Sequence, residues 1–257
     1  MPTPICLRCR LPLPIAAGPD ERRVCAGCGA PFRVDGVAID VVPDHAPPAT
    51  LGARAMQSTW LARIYRSWWR PIAFGLSTAF GAPRSRDEAR LVLALAGEAP
   101  GPWLDLSCGP GHLTRELVAR AGGRDVVAVD LSRAMLAAAR TMAPTALLVR
   151  ADAAALPFED GTFGAVINLA ALDLYADMEA VLAECARVLA PGGRWIGSTF
   201  VAGRGRTERR RRAARMPAGG SRKPTEGQLA SALQKAGLRA FGIERFRGYI
   251  VAWADKR

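Results

Sequence analysis

From residue 86 onward the apolar positions alternate between a helical period and short, continuous runs, and this alternation predicts the architecture. Arg86–Ala96 carries apolar residues at helical spacing, and Trp103–Leu106 is a short buried run that reads as a strand. A glycine-containing loop follows, then a helix from His112 to Ala121. The pattern repeats with a strand at Asp125–Val129, a helix at Ser132–Met142 with Ser132 as a plausible cap, and a strand at Ala146–Arg150. Gly164–Leu169 is a fourth strand, and Met178–Leu189 is a helix ended by Ala190-Pro-Gly-Gly193. Arg194–Phe200 is a fifth strand. Thr225–Ala236 reads as a helix with Gly237 at its end, followed by a terminal strand pair at Gly242–Phe246 and Tyr249–Trp253. Such alternation implies an α/β, doubly wound, Rossmann-like and mostly parallel sheet over residues 86–257. No internal repeat is evident.

The first 43 residues lack this pattern and form a separate unit, expected to have its own core. Pro43-Asp-His-Ala-Pro-Pro48 marks the boundary, because prolines there deny a helix. Residues 44–85 join the two units. Within them, 54–80 is aromatic and basic, with Trp60, Ile64 and Trp68 on one helical face. That face either packs on the main core as a linker helix or forms a lid over a substrate pocket.

Residues 1–43 carry a pattern of their own, Cys6-Leu-Arg-Cys9 and Cys25-Ala-Gly-Cys28, with 15 residues between the pairs. Two thiolate pairs on two tight turns suit tetrahedral zinc, so Cys6, Cys9, Cys25 and Cys28 are the expected ligands. A unit this small buries too little apolar surface to fold unaided, and a bound metal would supply the difference. Cys108 and Cys185 stand apart, the first inside a glycine loop and the second in a predicted helix core. His45 lies outside the metal spacing.

The chain has 257 residues and a net charge of +12. No apolar run approaches the ~20 residues that cross a bilayer, and the first residues lack an apolar signal core, so a cytoplasmic protein is expected. Only Lys223, Lys235 and Lys256 of the 35 basic residues are lysine, a bias that G+C-rich coding explains. The charge is nevertheless uneven. Residues 201–223 hold nine basic side chains against Glu208 alone. This block, including the arginines of 204–215, is either a solvated loop or a surface for phosphate or an anionic membrane.

The densest chemistry lies at Leu104-Asp-Leu-Ser-Cys-Gly-Pro-Gly111. Asp105 sits near a strand end, Gly109 and Gly111 allow close backbone approach, and the following helix offers free N–H groups. A dinucleotide fingerprint would place a third glycine where Thr114 stands. The next strand ends at Asp130, 19 residues after Gly111, where a carboxylate can accept two ribose hydroxyls. The third strand leads to Asp152, suitably placed near an exocyclic adenine amine. After the fourth strand, in Asn168-Leu-Ala-Ala-Leu-Asp173-Leu-Tyr175, Asp173 and Tyr175 are candidates for positioning an acceptor or taking its proton. The alternative is that Asp173 caps the next helix and Tyr175 packs.

With these motifs the chain resembles the class I S-adenosylmethionine-dependent methyltransferases, of the type 11-like group. The resemblance rests on 104–111, Val127-Ala-Val-Asp-Leu-Ser132, Val149-Arg-Ala-Asp-Ala153 with Leu156-Pro-Phe158, and Arg187-Val-Leu-Ala-Pro-Gly-Gly193. It implies S-adenosylmethionine as cofactor, with Asp105, Ser107, Gly109, Gly111, Asp130, Leu131, Asp152, Ala153 and Asn168 around it. Ser107 stands where the family usually has its first loop glycine. The N-terminal unit resembles a Trm112-type zinc ribbon, through Cys25-Ala-Gly-Cys-Gly29 and Phe32-Arg-Val-Asp-Gly36 leading to Val41-Val-Pro43. The expectation is a methyltransferase for a small, partly apolar acceptor such as a phenol, quinone precursor or secondary metabolite. The alternative is an RNA methyltransferase that uses the ribbon and the basic block at 204–223. Asn168 lacks the Pro-Pro-Tyr context of amide- and adenine-N-methylating enzymes.

Overall fold

The structure is a computed structural model, and it describes residues 1–14, 21–42, 83, 85–97, 99–122, 125–201 and 223–257, with Ser58 and Trp60 as isolated positions. The aromatic segment 54–80 and the basic block up to Arg222 therefore lie outside the described residues, apart from those two positions.

Three short strands open the chain: β1 (Glu21–Val24), β2 (Pro31–Val34) and β3 (Ile39–Asp40). Helix α1 (Ser85–Ala96) leads to β4 (Trp103–Leu106), α2 (His112–Arg120), β5 (Val126–Asp130), α3 (Arg133–Met142) and β6 (Leu147–Arg150). Strand β7 (Phe163–Asn168) and a short 3-10 turn at Leu172–Leu174 precede α4 (Met178–Val188) and β8 (Leu189–Phe200). Helix α5 (Glu226–Lys235), β9 (Leu238–Phe246) and β10 (Tyr249–Lys256) complete the fold. The predicted boundaries mostly hold to within two residues. The larger differences are that β8 already begins at Leu189, across Pro191, that β9 begins four residues earlier than predicted, and that β10 runs three residues further.

All ten strands form one sheet, in the order β1-β2-β3-β6-β5-β4-β7-β8-β10-β9. Strands β3 to β8 are mutually parallel, and both ends are antiparallel. Every residue of β4 and of β7 is buried, as expected of parallel strands covered on both faces. On one face Trp103, Ala165 and Ile167 pack with Val92 of α1 and Leu117 of α2. Nearby, Ala128 and Leu148 pack with Leu136 and Ala139 of α3. On the other face Leu104, Leu106 and Val166 pack with Val181 and Leu182 of α4 and Leu229 and Leu233 of α5.

The N-terminal unit does not keep a core of its own, as its sequence had suggested. Cys6, Leu13, Cys25, Phe32, Val34 and Ile39 belong to the same apolar cluster as Leu104 and Val149. Strand β3 pairs in parallel with β6, Ile39 opposite Val149 and Asp40 opposite Arg150. The Ile5 N–H donates to the Pro157 carbonyl at 2.8 Å. The reason is geometric: β6 would otherwise end the parallel sheet with unpaired backbone groups, and β3 satisfies them.

Helix ends follow their local chemistry. Ser132 caps α3 by accepting from the Met135 N–H. Thr225 caps α5 in a reciprocal pair with Gln228. Gly237, just past α5, takes a φ of +81°, which only glycine adopts without strain.

Candidate active site and cysteine cluster

Strand order reverses at β4, whose neighbours are β5 on one side and β7 on the other. Ligands of doubly wound sheets bind outside the carboxyl ends of the strands at such a point. Asp130 and Asn168 are the last residues of β5 and β7, and Asp105 is the last but one of β4.

The loop after β4 is shaped by left-handed backbone. Ser107, Gly109 and Gly111 have φ of 59°, 54° and 81°. A Cβ on Gly111 would lie 2.9 Å from both Cα and Cβ of Ala139, so α3 can approach only glycine there. A Cβ on Gly109 would meet nothing within 4 Å, which leaves the loop's other side open. Ser107 holds the left-handed conformation although it is not glycine, and its Oγ lies 2.6 Å from the Tyr175 hydroxyl.

The Asp130 carboxylate closes this loop. It accepts the Gly109 N–H and the Ser132 N–H, both at 2.8 Å. Burial raises its pKa above the ordinary value, although the N–H groups of Ser132, Gly109 and Leu131 oppose the rise. Asp105 is fully enclosed and accepts a 2.6 Å hydrogen bond from the Thr114 hydroxyl. Burial raises its pKa to about 7; the Thr114 bond opposes this and the Asp130 charge adds to it. Thr114, at the position where a dinucleotide loop wants glycine, thus serves the strand-end acid.

Asn168 is completely buried. Its Nδ2 donates to the Leu106 carbonyl at 2.9 Å and to the Tyr175 hydroxyl at 2.8 Å. Its Oδ1 has no hydrogen-bond partner among the described residues. Since the Tyr175 oxygen accepts from Asn168, its proton is free for Ser107. Burial raises the Tyr175 phenol well above its ordinary range. Tyr175 thereby ties the loop after β7 to the loop after β4.

Asp173 is buried in the 3-10 turn, where its Oδ1 accepts from the Thr199 hydroxyl at 3.3 Å. It does not cap α4; Asp177 does, accepting from the Ala180 N–H at 3.0 Å. Asp152 is exposed beyond β6 and accepts from the Ala154 N–H, while Ala153 is buried. Leu131 is half-buried at the start of the loop after β5. Near the β7 end, Ser198 Oγ accepts from the Ala170 N–H at 3.0 Å and touches the Tyr249 hydroxyl at 2.6 Å. Ser198 and Tyr249 both reach buried Glu88. Sequence reading missed this cluster because its members lie on three separate elements.

The four N-terminal cysteines converge. Their Sγ atoms all lie within 4.8 Å of one another, with Cys6–Cys28 at 3.6 Å and Cys9–Cys25 at 3.4 Å. Sulfurs at a zinc–sulfur distance of ~2.3 Å in a tetrahedron are about 3.8 Å apart, so the donor set fits such an ion. The two turns share one design. Cys6 N–H donates to Leu11 and Arg10 N–H to Cys6; Cys25 N–H donates to Ala30 and Gly29 N–H to Cys25. Arg10 and Gly29 hold the equivalent left-handed position. The backbone N–H groups of Gly27 and Cys28 lower the Cys25 thiol, while the sulfur neighbours of Cys9, namely Cys25, Cys28 and Cys6, help to raise it, so the four thiols share their protons unevenly.

Residues 104–197 match the family model described as a methyltransferase domain. This stretch is a methyltransferase domain. Over 126 residues the chain is 43% identical to a demethylmenaquinone methyltransferase of Thermus thermophilus, covering 48% of this chain and 57% of that protein. It is 34% identical over 142 residues to a malonyl-[acyl-carrier protein] O-methyltransferase of Methylococcus capsulatus, covering 51% of each. The chain thus spans about half the length of the curated relatives it matches. The fold is also that of phosphoethanolamine N-methyltransferase 2 of Haemonchus contortus, solved with S-adenosyl-L-methionine. That match has a TM-score of 0.59 and 16% identity, over 78% of this chain and 60% of that one. The glycine loop, Asp130, Asp152 and Asn168 all fall inside the matched domain.

Proposed function

We propose that the protein is an S-adenosylmethionine-dependent methyltransferase acting on a small, partly apolar acceptor. The observation that carries this reading is the placement of Gly109, Gly111 and Asp130 together at the point where strand order reverses, within a methyltransferase domain. The relatives named for demethylmenaquinone and for a malonyl carrier support a small acceptor over RNA.

The cofactor would supply an activated methyl group on a sulfonium, and in-line displacement then depends on alignment and desolvation. Gly109 leaves room for its methionine portion, and Gly111 lets α3 close on the loop that carries it. Asp130 accepts from ribose hydroxyls while retaining its bond to the loop. Asp152, exposed and already turned by its bond to Ala154, receives the adenine amine. The unpartnered Oδ1 of Asn168 accepts a donor of the bound cofactor, and Leu131 and Ala153 form apolar walls. Tyr175, its phenol held neutral by burial, positions the two loops rather than acting as a base near neutral pH. Asp173 is the acceptor-side carboxylate. It orients the acceptor or holds its proton.

Cys6, Cys9, Cys25 and Cys28 bind one structural zinc in a Trm112-like ribbon spanning residues 1–43. Residues 44–85 are the linker and lid, and 86–257 the methyltransferase domain. The unit works in the cytoplasm.

Asp130→Ala tests the cofactor assignment. Losing a charged acceptor costs ~1.5–3 kcal/mol per hydrogen bond, so affinity for S-adenosylmethionine should fall at least tenfold in calorimetry. Unchanged affinity overturns the assignment.

A further inference from the structure

We propose that Asp40, in the N-terminal unit, is a positioning residue for the cofactor site. This inference rests on the methyltransferase reading. Asp40 is almost completely buried at the end of β3. Its carboxylate accepts from Arg150 Nη1 at 3.0 and 3.3 Å and from Arg133 Nη1 at 3.1 Å. Its Oδ1 also accepts the Val42 N–H. Both arginines belong to the methyltransferase domain, and both sit directly behind the ribose acid. Arg150 Nε donates to the Leu131 carbonyl at 2.9 Å, so one guanidinium spans Asp40 and the residue after Asp130. Arg133 is the first residue of α3, next to Ser132, whose N–H binds Asp130.

The same unit grips α3 at two further points. Arg133 pairs with Asp35, which is held by the N–H groups of Val37 and Ala38. Arg140 donates from Nε and Nη2 to the Val37 carbonyl. Helix α3 in turn closes against Gly111 through Ala139. Through Arg150 and α3 the N-terminal unit therefore holds the residues that follow Asp130 in the chain. Arg150 makes its two bonds from separate nitrogens, Nε and Nη1, held at fixed positions on one planar guanidinium; a lysine, with a single nitrogen on a flexible stem, does not hold that geometry. On this account the ribbon preorganises the cofactor site, besides any contact it makes with acceptor.

The test uses the full chain and calorimetry with S-adenosylhomocysteine, alongside zinc content and steady-state kinetics. Asp40→Asn keeps the shape and removes the charge. Its dissociation constant should rise by roughly tenfold, the scale of a lost charge-assisted bond. KM for S-adenosylmethionine should rise with it, while kcat at saturation and zinc content stay at wild-type values. Arg150→Lys, which keeps the charge opposite Asp40 but loses the bridge to Leu131, should show the same KM effect and covers the case in which Asp40→Asn does not fold. Wild-type affinity in either folded variant overturns the proposal. No binding by the wild-type chain overturns the methyltransferase reading itself.

Discussion

At the scale of single residues, Asp105 shows how a buried acid can be held by one neighbour, Thr114, through its hydroxyl and its backbone. Its pKa is about 7 in the fold, against 3.8 ordinarily, and Thr114 is its hydrogen-bond partner. Between those values the native state keeps a proton that the unfolded chain has lost. The contribution of Asp105 to stability therefore falls as pH rises from about 4 to 7, by up to about 1.4 kcal/mol per pH unit. Asp105→Asn retains an acceptor for Thr114 and carries no charge. Denaturant unfolding from pH 4 to 8 should show the wild-type decline flattened in this variant; an unchanged slope would assign the decline to other groups. Asp105, Gly109, Gly111 and Asp130 were legible in the sequence because each lies at a fixed offset from a strand end. Thr114 stood within the same motif, and only its missing glycine hinted at its role. Asp40, Arg133 and Arg150 were not legible as a group, since ion pairs between residues about 100 positions apart leave no local pattern. The one trace was an arginine ahead of Ala151-Asp152.

At the scale of elements, the helices and parallel strands were readable because the apolar period changes cleanly at each boundary. Two features were not. Strand β8 absorbs Leu189 to Gly193, where Pro and Gly suggested only a turn; its pairing with β7 shifts register there instead of ending. Strand β3 has two residues and no pattern of its own. It exists because β6 offers an edge, which is a tertiary cause. This pairing changes what metal loss should do. Separate cores would let residues 1–43 unfold alone. With β3 in the sheet and Cys6 and Cys25 in the common apolar cluster, removing the proposed zinc by chelation, or by Cys25→Ser, should lower the melting temperature of the main cooperative transition. A separate low-temperature transition with the main one unmoved would contradict this.

At the scale of the whole molecule, the N-terminal unit, the parallel sheet and the antiparallel β8-β10-β9 edge form one continuous structure. Among the described residues, no helix is long and apolar enough to cross a membrane. The most basic stretch ends at Lys223, whose ammonium lies 5.4 Å from the centre of the Phe200 ring, at the carboxyl end of β8. The chain thus re-enters the described part of the fold beside the carboxyl end of β8. The measurement that tests the central claim most directly is a crystal structure grown with S-adenosylhomocysteine. The account predicts the ligand at the carboxyl ends of β4 and β5, its methionine portion against Gly109 and Gly111, its ribose hydroxyls on Asp130 and its adenine beside Asp152, with a closed aromatic pocket next to the sulfur. An empty β4–β5 crevice would contradict it, and a bound cofactor facing an open basic groove would overturn the small-acceptor reading in favour of RNA.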